Sequence, residues 1–195
     1  MRDLRQAYAA FKSRVDSARN WDAGHAIPPP ERAKHRFLAR LAQERGNRVF
    51  IESGTYFGDT TAYMLPLCDL LVTIELDDAL YAAAARRFAG DERVRVLHGD
   101  GAELVPQLVR EAPSPPLVWL DGHYSGGETA HGAVAEPATR ILGELVGAPS
   151  GTTIVIDDLR LFGRGGWPTL AELVDAAHAV AKNVRTGPDN LVVRV

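Results

Sequence analysis

The sequence predicts a three-layer α/β sandwich, with a mainly parallel central sheet and a helical cap at the N-terminus. Two observations predict it. Short β-branched runs recur, and each stops at or just before an acid: Arg48-Val-Phe-Ile51 at Glu52, Leu71-Val-Thr-Ile74 at Glu75, and Val94-Arg-Val-Leu97 shortly before Asp100. Leu117-Val-Trp-Leu120 stops at Asp121, and Thr153-Ile-Val-Ile156 at Asp157 and Asp158. Between these runs lie stretches with helical spacing. Strands covered on both faces read as continuous apolar runs. Strand–helix alternation argues for βαβ units, whose right-handed crossovers place helices on both faces of the sheet.

Residues 3–19 come first. Leu4, Tyr8, Phe11 and Val15 recur every three or four positions, which predicts a helix. The stretch from Trp21 through His25 to Pro30 reads as a stiff extended connector, because its prolines cannot enter a helix interior. A second amphipathic helix is expected at about 31–45, with Phe37, Leu38 and Leu41 inward and Gly46 as its stop. Further helices are expected at about 58–68, 78–88, 101–111, 134–146 and 169–182. The tail, 183–195, reads as a closing hairpin or an edge strand. The expected organisation is one domain: 1–46 as cap and connector, 47–195 as the α/β core.

Composition narrows the classes. With 46% hydrophobic and 24% charged residues, the 195-residue chain has the makeup of a soluble globular protein. The net charge of −3 and the lack of a basic run speak against a nucleic-acid partner. One cysteine, Cys68, leaves no intramolecular disulfide and no cysteine-rich zinc site, and reads as a small apolar residue. The polar start and the lack of a long apolar run predict no secretory signal and no membrane partner, hence a cytoplasmic protein. The N-terminal helix can pack on its own sheet or on a second subunit, which leaves a homodimer open.

In open α/β sheets ligands bind beyond the carboxyl ends of the strands. The acids named above are therefore expected along one rim. In Glu52-Ser-Gly54-Thr55-Tyr56-Phe57-Gly58, Gly54 permits a tight turn and close approach to the backbone, and Gly58 opens the next helix. Neither G-x-G-x-x-G nor a phosphate-binding G-x-x-x-x-G-K-[ST] loop is present. Glu75 stands where an acid accepts ribose hydroxyls in α/β cofactor folds, and His98-Gly-Asp100-Gly101 places a carboxylate where an adenine amine can be read.

This order of motifs resembles the class I S-adenosylmethionine-dependent methyltransferases, across about 48–160. The resemblance implies a Rossmann-like core and S-adenosyl-L-methionine as cofactor. It implies that Glu52, Gly54, Thr55 and Gly58 hold the methionine portion, that Glu75 holds the ribose, and that Asp100 and Gly101 border the adenine. The common family loop carries a further glycine between its first and last, and in this chain Tyr56 stands in that region.

Asp121, Asp157 and Asp158, from neighbouring strand ends, can share a hard cation such as Mg²⁺; left unpaired they would repel. Asp157 and Asp158 can instead cap a turn or pair with Arg160 or Arg164, and Asp121 can orient the cofactor. The arrangement resembles the metal-dependent O-methyltransferases of catechol and macrocin type, which implies Asp121, Asp157 and Asp158 as metal ligands. Tyr124 stands where the catechol type has a catalytic lysine. His123 is the first choice of base, since a neutral imidazole accepts a hydroxyl proton well near pH 7. Tyr124, Asp121 or a metal-bound water are the alternatives. Arg160, Arg164 and Trp167, in a glycine-rich segment, read as a flap touching the substrate through an anion or a sugar or aromatic face. His131 is a weaker substrate contact; His25, His35 and His178 read as structural or solvated. The expected reaction is methyl transfer to a hydroxyl of a sugar, natural product or phenol, assisted by a divalent metal. The alternatives are metal-independent O- or N-methylation and a non-catalytic cofactor-binding or interaction domain.

Overall fold

A computed structural model describes residues 27–121 and 137–195. The expected helix at 3–19, the connector through Trp21 and His25, and the loop carrying His123, Tyr124 and His131 lie outside the described residues.

The described chain runs α1 (Glu31–Arg45), β1 (Val49–Ser53), α2 (Asp59–Met64), β2 (Leu70–Glu75), α3 (Asp78–Phe88), β3 (Val94–His98), α4 (Gly101–Glu111), β4 (Leu117–Leu120), α5 (Ala138–Glu144), β5 (Thr153–Ile156), α6 (Leu170–Val180), β6 (Asn183–Thr186) and β7 (Leu191–Arg194). A 3₁₀ turn, Leu159–Leu161, follows β5. The sheet order is β3-β2-β1-β4-β5-β7-β6. β1 to β5 pair in parallel, and the β6–β7 hairpin closes the sheet antiparallel. β7 does not form the edge: it pairs with β5 on one side and β6 on the other.

Side-chain alternation builds two cores. Ile51, Val118 and Ile154 face α4, α5 and α6 through Val105, Ile141 and Leu173. Phe50, Trp119 and Val155 face the opposite way, onto Leu38 and Leu41 of α1 and Met64 of α2. Successive strand residues point to opposite faces, so β1, β4 and β5 are buried throughout. The helix at 31–45 is thus more than a cap, because it forms part of one covering layer.

Local chemistry sets the ends. Gly46, at φ 69°, closes α1 with its N–H on the carbonyls of Ala42 and Gln43. The Asp77 carboxylate accepts from the N–H groups of Ala79 and Leu80, capping α3. Thr169 and Glu172 form a reciprocal capping box on α6. α2 stops at Met64, short of the expected 68, since Pro66 has no N–H to extend the helical ladder. At the base of the sheet Asn47 Nδ2 donates to the carbonyls of Pro115 and Gly151, tying the approaches to β4 and β5 to that of β1.

Register places the strand ends side by side. Ser53 lies opposite Ile74 and Leu120, Glu75 opposite His98, and Leu120 opposite Ile156. The N–H of Asp121 donates to Ser53, and that of Asp157 to Leu120. Ser53 also packs tightly on α4: a Cβ added at Gly101 would lie 2.0 Å from Ser53 Oγ. Gly101→Ala is expected to lower stability by about 1–3 kcal/mol, the usual cost of overpacking. A chemical-denaturation midpoint equal to wild type would refute this contact.

Candidate active site

The loop after β1 is held from below. Glu52 is buried beneath it, accepting hydrogen bonds from Thr61 Oγ1 (2.5 Å) and Thr73 Oγ1 (2.8 Å). Burial is the main force pushing its carboxyl up to about 7; the threonine hydroxyls work against that rise. Thr73 Oγ1 is also 2.6 Å from Thr55 Oγ1. Since Thr73 donates to Glu52, Thr55 donates to Thr73. Glu52 and Thr55 thus spend their side chains on the loop's foundation rather than on its upper surface.

Above them Gly54 adopts φ 96°, and its N–H donates to the carbonyl of Ile74. Tyr56 is also left-handed, at φ 49°. That conformation is costly for a residue with a Cβ and easy for glycine. It is stabilised by Glu75, whose Oε2 accepts from Tyr56 N–H at 2.8 Å while Oε1 accepts from the N–H groups of Leu76 and Asp77. Gly58 caps α2 at φ 80°, and a Cβ there would meet the Phe88 ring at 2.7 Å. Asp100 caps α4 with one oxygen, accepting from Ala102 N–H. Beside it His98 stacks on Tyr81, with Nε2 3.1 Å from the Leu76 carbonyl.

The other half of the rim holds the three aspartates. Asp121, Asp157 and Asp158 each offer an oxygen, and these lie within 4.8 Å of one another. Proximity is as expected; the surroundings are not. Lys34, from α1, reaches in to pair with Asp157 Oδ2 and lies 3.5 Å from Asp158 Oδ1. Burial acts to lower the Lys34 pKa, but Asp121, Asp157 and Asp158 outweigh it and hold the ammonium above its ordinary value. Burial raises the Asp157 carboxyl, opposed by Lys34 and aided by Asp158.

Arg160, expected to touch the substrate, is held by two acids through Nη1. Its guanidinium pairs with Asp158 Oδ1 at 2.5 Å and with Asp189 Oδ2, and its N–H donates to Asp189 Oδ1. Pairing of Asp158 with Arg160 is one of the alternatives the sequence leaves open. The segment expected as a flap is folded back: Gly163 N–H donates to Pro168, and Trp167 packs edge-on against Phe162, ring centroids 5.2 Å apart. Arg164 is exposed on this turn. His35 is buried and stacked on Tyr63 rather than solvated. Cys68 is buried, its thiol pushed up to about 11 by burial.

Lys34 and Asp189 are site residues that sequence reasoning missed. The signal for Lys34 was its place four residues before Leu38, on the inward stripe of α1. No comparable signal marked Asp189.

No protein-family model matches the chain, and no curated protein matches it. Solved structures do. An O-methyltransferase from Streptomyces achromogenes, TomG, in complex with SAM, is 17% identical with a TM-score of 0.56, covering 93% of this chain and 89% of its own. An O-methyltransferase from Bacillus cereus in complex with SAH is also 17% identical, with a TM-score of 0.57, covering 94% and 91%. The SAH-bound methyltransferase PaMTH1 of Podospora anserina is 12% identical, with a TM-score of 0.58, covering 98% and 95%. The chain has the class I methyltransferase fold. In that fold the rim just described, with Glu75 and Asp100 on one side and the aspartates on the other, lies at the carboxyl ends of the parallel strands.

The donor set also bears on a metal. Three converging carboxylates suit a hard cation. As arranged, however, the Lys34 ammonium already pairs with them, and Asp158 is shared with Arg160. The residues present do not leave a fitting metal centre.

Proposed function

We propose that this protein transfers the methyl group of S-adenosylmethionine to a hydroxyl of a small molecule. The observation that carries this reading is the pair of acids at the ends of β2 and β3, beside a β1 loop bent at Gly54, within a fold whose solved neighbours hold SAM or SAH. When bound, S-adenosylmethionine supplies an electrophilic methyl group on its sulfonium. The chain's own groups then divide the work. Glu75 accepts the ribose hydroxyls while fixing the loop through Tyr56 N–H. Asp100, with one oxygen on Ala102, offers the other to the adenine amine. Gly54 lets the methionine portion approach the backbone. Asp121 borders the reacting end, where His123, Tyr124 or Asp121 itself accepts the proton of the acceptor hydroxyl. Arg164, exposed on the turn beyond β5, favours an acceptor bearing a carboxylate or phosphate.

Calorimetric titration with SAH tests the reading. Saturable one-site binding is expected; no heat and no thermal stabilisation at millimolar SAH would overturn it.

A further inference from the structure

We propose that the Lys34 ammonium holds the cation position of the Asp121–Asp157–Asp158 cluster, excluding a divalent ion that the same cluster would bind if Lys34 were neutral. The inference concerns what occupies the cluster; that the cluster serves methyl transfer rests on the proposed function.

Lys34 is delivered by a packed layer. Leu38, Leu41 and Ala42 of α1 are buried with Phe50 and Trp119, so the helix that carries Lys34 is seated on the sheet. Its side chain is only 16% exposed, and its Nζ lies 6.0 Å from the centroid of the Trp119 ring. From there it pairs with Asp157 and approaches Asp158. A divalent ion drawing on these oxygens would lie against an ammonium, and like charges at that range in a buried setting repel strongly.

The ligands are also committed. Asp158 Oδ1 already accepts from Arg160, and Arg160 is anchored by Asp189. Asp158 is left-handed, at φ 59°, which begins the turn from β5 into the 3₁₀ segment bearing Arg160. Two built-in cations therefore face this group of acids. Asp157 keeps acceptor capacity to spare: Oδ2 takes the Lys34 ammonium, and Oδ1 is buried with no hydrogen-bond partner among the described residues. Removing the ammonium frees Oδ2 as well, so the carboxylate that a metal would draw on is then wholly unpaired by a cation.

Mn²⁺ binding, read by electron paramagnetic resonance of the free ion, tests this in wild type, Lys34→Gln, and Lys34→Gln with Asp157→Asn. Wild type is expected to leave Mn²⁺ free up to millimolar concentration. Lys34→Gln is expected to bind at least about a hundredfold tighter, since one repelling charge is gone, and the added Asp157→Asn to lose that gain. Micromolar binding by wild type would overturn the proposal, whether or not the variants fold. So would Lys34→Gln that retains the wild-type unfolding transition yet does not bind Mn²⁺. SAH titration of the same wild-type sample keeps the two readings apart. Absent SAH binding counts against the methyltransferase function, while the Mn²⁺ result alone decides the role of Lys34.

Discussion

Glu75→Ala is expected to weaken SAH binding by at least about a hundredfold, since hydrogen bonds to a charged acceptor are worth about 1.5–3 kcal/mol each and a ribose offers two. Glu75 also has a second task. Its Oε2 holds the N–H of Tyr56, which sits at φ 49°, in the left-handed region that glycine adopts freely. Loss of affinity therefore has two candidate causes: missing acceptors, for the ribose and for the N–H groups of Leu76 and Asp77, or a β1 loop that relaxes at Tyr56. Adding Tyr56→Gly separates the loop from the rest, because glycine adopts the left-handed conformation without help. If the missing acceptors are the cause, the double variant remains as weak as Glu75→Ala. If the loop is the cause, it recovers toward wild type. Wild-type affinity in Glu75→Ala would remove this residue from the cofactor site altogether.

Legibility in the sequence follows what is local and what is not. β1, β4 and β5 were legible because both faces are covered, which forces unbroken apolar runs. Their register then fixes where Glu75, Asp121 and Asp157 emerge, so the acidic rim could be read before any contact was seen. The position of β7 between β5 and β6 could not. An apolar run such as Leu191-Val-Val193 reads the same at an edge and inside a sheet. The choice is made by pairing with Thr153–Ile156, distant in the chain, and that pairing leaves Leu191 and Val193 fully buried. The same holds for the aspartates. Their convergence was legible, but their counter-ion was not, because Lys34 reaches them only through the docking of α1. The direction of the Glu52 side chain was not legible either: a strand-end acid can point above the loop or beneath it, and the hydroxyls of Thr61 and Thr73 decide for beneath.

That buried position makes the second prediction. Glu52→Gln is expected to be more stable than wild type above neutral pH, by up to about 3 kcal/mol, the equivalent of a carboxyl raised from 4.5 to about 7. The sign follows from proton binding. Between these two values the folded protein holds a proton on Glu52 that the unfolded chain has released, so wild-type stability falls as pH rises through this window. Above about 7 both states are ionised, and the cost of a buried charge is fully present. Glutamine keeps an acceptor for the two threonine hydroxyls and carries no charge at any pH. The stability difference between variant and wild type should therefore grow from pH 4.5 to 7 and then level off. Urea unfolding across this range and about a unit beyond it measures the difference. A difference independent of pH would show that Glu52 is ionised in the folded protein throughout. Thr55 is the functional link. Its hydroxyl donates into the same chain through Thr73, which ties the floor of the β1 loop to Glu52. SAH affinity in Glu52→Gln is accordingly expected to stay within about threefold of wild type, under about 1 kcal/mol, whereas a role in gripping the ligand would cost far more.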